Sequence, residues 1–311
     1  MRQTCLSTSF AVVLAAATLQ ADTVVTYPPG TILENIAVAP AGDLFVSDLG
    51  TGILYRISPE GSSRIFGQVP GALAGVALNT DGTVVGASGT SVYHFDRNGM
   101  ATLVVNIPGA GFLNGVTLFE PNTFLVADDT ANLIWKVDLL SRTASRWLAS
   151  SLLVPPADGL PIGPNGIKLF GGAAYISVTG AGTILRVPIL RDGSAGSPEI
   201  YASSLQADDF AFGGDGSIFA ATQGGQIIRL YSNGFRESLS TGTLGDAAVA
   251  FGRAGADQHA IYVVNNGGAF LGLPGGPLPA SVVRLSTDTT GVLPESQVHR
   301  GWASALHRFE F

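Results

Sequence analysis

The chain has 311 residues, 46% of them hydrophobic and 13% charged, with 41 glycines, 17 prolines and a formal net charge of −7. So much apolar content with so little charge excludes intrinsic disorder. With 16 basic against 23 acidic residues and no Lys/Arg stripe, the chain also lacks the electrostatic footprint of a nucleic-acid binder.

The first 21 residues read as a secretory signal. Arg2 gives the positive start, Phe10 to Ala17 the apolar run, and small residues lead to a cleavage site near Ala21. The run is short for a bilayer span, and no later segment holds about 18 uninterrupted apolar residues. A mature domain of residues 22–311 is therefore expected, secreted or periplasmic and away from the membrane. The only cysteine, Cys5, lies inside the signal. The mature chain then has no disulfide, no thiolate nucleophile and no cysteine metal site. A domain of this size can fold without such staples.

Thr23 to Tyr27 reads as an outer strand that closes a ring of repeats. The repeats are announced by six segments with one pattern, two small or polar residues and then apolar, variable, apolar. They begin at Glu34, Ala74, Asn114, Asn165, Asp208 and Ala247, in steps of 40, 40, 51, 43 and 39 residues. Most are followed by a turn and a second strand, as in Ala41-Gly42-Asp43 before Leu44-Phe45-Val46 and Thr80-Asp81-Gly82 before Thr83-Val84-Val85. Such glycines accept the positive φ that hairpin turns need. A third strand often follows, for example Ile53 to Ile57, Leu133 to Val137 and Ile227 to Leu230. These segments favour β-branched and aromatic residues, and no long stretch has helical period. A unit of three to four short strands repeated six times predicts an all-β, six-bladed β-propeller with four-stranded antiparallel blades around a central channel. A β-helix would have a shorter repeat and a β-sandwich would have none. The tail from Val298 to Phe311 fits no blade.

In such a fold the first residues of each innermost strand form a ring at one end of the channel. Four of the six ring residues, Glu34, Asn114, Asn165 and Asp208, carry side-chain oxygens. Calcium takes 6–8 hard oxygen ligands, and two carboxylates with two amides would balance one Ca²⁺. Polar residues can simply begin strands, and Asn-Gly is an ordinary turn pair. It is the recurrence of oxygen donors at one repeat phase that points to a metal site.

The segments Leu33-Glu34-Asn35-Ile36, Leu113-Asn114-Gly115-Val116, Pro164-Asn165-Gly166-Ile167 and Ala207-Asp208-Asp209-Phe210 resemble those of the SMP-30/gluconolactonase/LRE-like family. That family is related to the paraoxonases and the diisopropylfluorophosphatase-type enzymes. The resemblance implies a divalent cation, Ca²⁺ foremost, on Glu34, Asn114, Asn165 and Asp208, with Asp208 as base or nucleophile. It departs in two places. Phe112 stands where the gluconolactonase branch has arginine, and none of His94, His259, His299 or His307 is at the ring phase where the paraoxonase branch would use one.

The loops before the ring are apolar: Gly71-Ala72-Leu73, Gly111-Phe112-Leu113, Leu160-Pro161-Ile162 and Ser204-Leu205-Gln206. Apolar walls around a few polar groups suit a small molecule, here a hydrophobic lactone or ester. Asp209 reads as either a neighbour that orients Asp208 or a structural residue whose side chain points away from it. Asp246 could approach the channel mouth, and Asp128 and Asp129 read as turn residues. There is no Gly-x-Ser-x-Gly elbow and no phosphate loop. The leading expectation is a monomeric, calcium-dependent hydrolase of lactones or esters. The alternatives are a non-catalytic binding or scaffold propeller and a metal-independent, pericyclase-like enzyme of secondary metabolism.

Overall fold

The computed structural model describes residues 21–299, so the expected signal up to residue 20, with Cys5, and the tail from position 300 onward lie outside the described residues. Blade 1 shows how the sequence builds the repeat. Its strands are Leu33–Val38, Leu44–Asp48, Ile53–Ile57 and Ser63–Gln68, in order from the channel outward. The second strand is buried on both faces because a neighbouring blade covers each side, so Leu44-Phe45-Val46 reads as a continuous apolar run. Val84–Ser88, Thr123–Asp128, Ala173–Val178 and Ala260–Asn265 are buried throughout for the same reason. The outermost strand faces solvent on one side and is mostly exposed or half-exposed. The expected hairpin glycines Gly42 and Gly82 have φ of 97° and 82°.

Six four-stranded antiparallel sheets follow this plan, and the only helical segments among the described residues are four short 3-10 turns. The innermost strands of blades 2 to 6 are Val76–Leu78, Leu113–Glu120, Pro164–Phe170, Phe210–Phe212 and Asp246–Phe251. The expected closing strand is present as Asp22–Pro29. It pairs antiparallel with Pro279–Ser286, with Thr23 opposite Val283, and completes blade 6 from the other end of the chain. Closure through both chain ends protects the edges that an open sheet would leave.

Apolar clusters fill the wedges between blades. Leu33, Val46, Val264 and Val282 join blades 6 and 1, and Phe45, Leu54, Leu73 and Phe95 join blades 1 and 2. Each fully buried large side chain contributes roughly 1.5–3 kcal/mol, so the ring is held mainly by contacts between blades. Val298 packs against the cluster of blades 2 and 3, and His299 stacks on Phe119 with ring centroids 5.3 Å apart. The start of the tail is thus docked on the propeller rather than built into a blade.

Chain direction sorts the loops. Every innermost strand runs away from the ring residues, so the first hairpin lies on the opposite face. The loops between second and third strands return to the ring face, together with those that lead into the next blade.

Candidate functional site

The ring is built on irregular pairing. In blade 1 Leu33 pairs with Asp48 and Ile36 with Val46, so the inner strand carries one extra residue; the same slip occurs at Leu113/Val116 and Pro164/Ile167. In blade 5 the N–H of Asp208 donates to the carbonyl of Ala221, whose own N–H donates to Asp209, at 2.9 Å each. A bulge re-aims side chains. Here it lets two successive residues make contacts between blades.

Asp208 is the most heavily tied of the ring residues. Asn165 donates from Nδ2 to its Oδ1 at 2.7 Å, and Gln223 from Nε2 to its Oδ2 at 2.6 Å. Burial pushes the Asp208 carboxyl up to about 7, against the two amide bonds and helped by the charges of Asp209 and Asp129. Burial also pushes Glu34 well above the ordinary carboxylate range, followed by the charge of Asp208, while a side-chain bond with Asn114 opposes the shift. The Asp129 carboxyl is likewise raised chiefly by burial, with Thr130 and Asn114 opposing the shift. The four sequence-chosen residues are therefore together, and all are buried.

Two neighbours escaped the sequence. Asp129 stands in a turn, where Thr130 donates to its Oδ1 at 2.7 Å, yet its charge acts on both Glu34 and Asp208. Gln223 lies in the turn between Ile218–Thr222 and Gln226–Leu230, a position with no repeat signal. Asp128 does hold a turn: it accepts from the N–H groups of Gly111, Phe112 and Ala131 and from Trp135 Nε1. Asp246 is fully buried, and Thr241 and Thr243 donate to its two oxygens at 2.8 and 2.7 Å.

Asp209 is structural in its contacts. It receives Lys168 Nζ at 2.5 and 2.7 Å and Asn35 Nδ2 at 3.1 Å, the last from blade 1 across to blade 5. These three residues form a polar layer one step below the ring.

The glycines after the ring residues are not turn glycines. Gly115 and Gly166 lie inside strands and have no positive φ. A Cβ on Gly115 would meet the Asn165 carbonyl oxygen at 2.2 Å, and one on Gly75 the Asn114 carbonyl oxygen at 2.1 Å. They are glycine because the next blade's backbone comes too close for a side chain.

The apolar approach loops divide. Leu73 and Leu113 are buried in clusters between blades and do not line the channel, whereas Leu205, though buried, borders a cavity between blades 4 and 5. Leu160 is exposed and borders a cavity of about 610 Å³ between blades 4 and 5, with Thr179, Ser204, Gln206 and Gln223. The wall is therefore mixed in polarity. Phe112 is half-buried beside Asp128. His94 pairs within blade 2 and His259 ends a 3-10 turn, while His307 lies outside the described residues.

A luciferin-regenerating enzyme has a similar structure, with a TM-score of 0.72 and 12% identity over 88% of this chain and 97% of that one. A calcium-binding regucalcin from Agrobacterium tumefaciens gives 0.71 and 18% over 91% and 98%. A gluconolactonase from Xanthomonas campestris gives 0.67 and 16% over 85% and 88%. The fold is that of the SMP-30/gluconolactonase propellers. No family model matches the sequence, and no curated protein does.

The donor set has the chemistry of a site for a hard cation such as Ca²⁺. Two carboxylates and two amides offer hard oxygens and no sulfur or imidazole. Among the described residues no three Asp, Glu, His or Cys side chains form a metal-binding group, so the amides are needed to complete the set. Lys168 is occupied by Asp209, and among the described residues no cationic side chain pairs with the buried carboxyls of Glu34 and Asp208.

Proposed function

We propose that this protein is an exported, calcium-dependent hydrolase of lactones or related esters acting on a small molecule. The observation that carries the reading is the convergence of Glu34, Asn114, Asn165 and Asp208 at the ring end of the channel, with the Glu34 and Asp208 carboxyls interacting. These four residues would hold Ca²⁺. A bound cation supplies a Lewis acid for a carbonyl oxygen.

The chain's own residues then do the following. Asn165 and Gln223 fix both oxygens of Asp208, so its orientation is set before substrate arrives. Asp208 takes a proton from water as the water oxygen bonds to the carbonyl carbon, and the proton passes to the alcohol oxygen as the acyl C–O bond breaks; alternatively Asp208 attacks the carbonyl carbon, the same C–O bond breaks, and water then cleaves the acyl anhydride. Asp129 adds a further negative charge beside the ring, which favours a bound cation. The cavity beside Gln223 receives the rest of the substrate: Leu160 gives an apolar contact, while Thr179 and Ser204 give hydroxyls. A lactone with an apolar substituent and at least one further polar group matches this wall better than a bare alkyl ester.

The test is turnover of acyl, aryl and sugar lactones by wild type and Asp208→Asn, with and without chelator. Calcium-dependent hydrolysis lost in Asp208→Asn, with an unchanged circular dichroism spectrum, supports the reading. Full activity in that variant, or hydrolysis indifferent to chelation, overturns it.

A further inference from the structure

The channel has a second mouth, on the face of the first hairpins, and a cavity of about 640 Å³ opens there. Its wall comes from one position of the repeat, three residues beyond the ring. That position holds Ala37, Ala77, Thr117, Lys168, Ala211 and Ala250, and all six line the cavity. Five small side chains leave the volume open. Phe212, Leu293 and Pro294 add apolar surface at its rim. The volume is that of a small-molecule pocket, and the layer of Asn35, Lys168 and Asp209 lies between it and the ring.

The polar groups narrow the chemistry of the occupant. Lys168 is the one charged side chain that the innermost strands give to the wall. Its ammonium has three N–H donors. Asp209 takes bonds at 2.5 and 2.7 Å, and among the described residues no other acceptor bonds Nζ. Its charge is cancelled by Asp209, and that of Arg253 by Glu295. Asp81, also in the lining, adds a negative charge. An anion would therefore meet no net positive charge, while one N–H remains for a neutral oxygen.

We propose that this rear cavity binds an uncharged, largely apolar small molecule through a carbonyl oxygen that accepts from Lys168. The site is separate from the ring and needs no turnover.

The experiment uses the uncharged naphthyl ketone prodan, whose emission shifts to the blue in apolar surroundings, titrated against the full-length mature chain. Wild type should bind one equivalent with a Kd below about 1 mM. Ala211→Leu fills the cavity and should weaken binding about tenfold or more, with its thermal melt and calcium binding kept. Lys168→Met alone would bury the Asp209 charge unpaired, so the double variant Lys168→Met/Asp209→Asn is used. It should retain the blue shift but bind about tenfold more weakly, the scale of a hydrogen bond to a charged donor. No saturable binding, or equal binding by wild type and Ala211→Leu, overturns the proposal. Loss of lactone hydrolysis in other variants does not bear on this readout, so the two readings fail separately.

Discussion

Gln223 Nε2 lies 2.6 Å from Oδ2 of Asp208 and so joins a turn of blade 5 to the ring residue of the same blade. Asn266 directly follows the second strand of blade 6, Ala260–Asn265, and its Nδ2 in turn approaches Gln223 Oε1 at 3.5 Å. Gln223 is thus a positioning residue. In Gln223→Leu, kcat should fall about 10- to 100-fold, the scale of one hydrogen bond to a charged group, with KM little changed and calcium affinity reduced. Steady-state kinetics and calcium calorimetry check this. Wild-type values for both would show that Gln223 only fills space.

Glu34 and Asp208 should make calcium and heat stability inseparable. Both carboxyls are raised by burial, so without a cation their ionisation opposes folding. At pH 8 in chelator, Glu34→Gln should melt higher than wild type. In calcium the order should reverse, since calcium at 100 times its Kd stabilises wild type by about 2.7 kcal/mol. Melting curves of both proteins in both buffers decide it, and parallel shifts would remove Glu34 from the ligand set.

Gly115 tests the ring's packing. A Cβ there would lie 2.2 Å from the carbonyl oxygen of Asn165, backbone that cannot swing aside. Gly115→Ala should cost at least about 1–3 kcal/mol, the overpacking range. At the hairpin residue Gly82 nothing lies within 4 Å and only the positive φ of 82° opposes alanine. Gly82→Ala should cost about 1 kcal/mol. Urea unfolding of the two variants gives the comparison.

Asp246 sets a pH dependence of stability. Burial pushes its carboxyl from 3.8 up to about 6, while the Thr243 and Thr241 hydroxyls pull it down. Between these values the folded chain keeps a proton that the unfolded chain has released. Its contribution to stability is therefore greatest at low pH, falls as pH rises through this window, and stays low above it. Asp246→Asn does not titrate. Relative to wild type it should gain on the order of 2–3 kcal/mol between pH 4 and pH 7. Denaturant melts of both proteins across that range measure the difference, and a constant difference would refute the assignment.

The blades and the four ring residues were legible because both follow from a repeat. A strand alternates sides every two residues and a blade returns every 40 or so, so equal phase means equal height in the channel. Asp129 and Gln223 were not legible. They stand in turns between second and third strands, and nothing local tells which turn side chain leans toward the axis. The same limit applies to the apolar residues beside the ring: Leu73 and Leu113 pack between blades, while Leu160 and Leu205 border a cavity.

The sequence by itself determined the propeller, its closing strand and the height of Glu34, Asn114, Asn165 and Asp208, because each is a matter of hydrophobic period and repeat phase. Tertiary structure alone decided that Asn-Gly is a close contact rather than a turn, that a bulge gives Asp208 and Asp209 separate partners, and that Lys168 bonds a carboxylate of the next blade. These depend on how near one blade's backbone comes to the next, a distance set by the packing of all six around the axis.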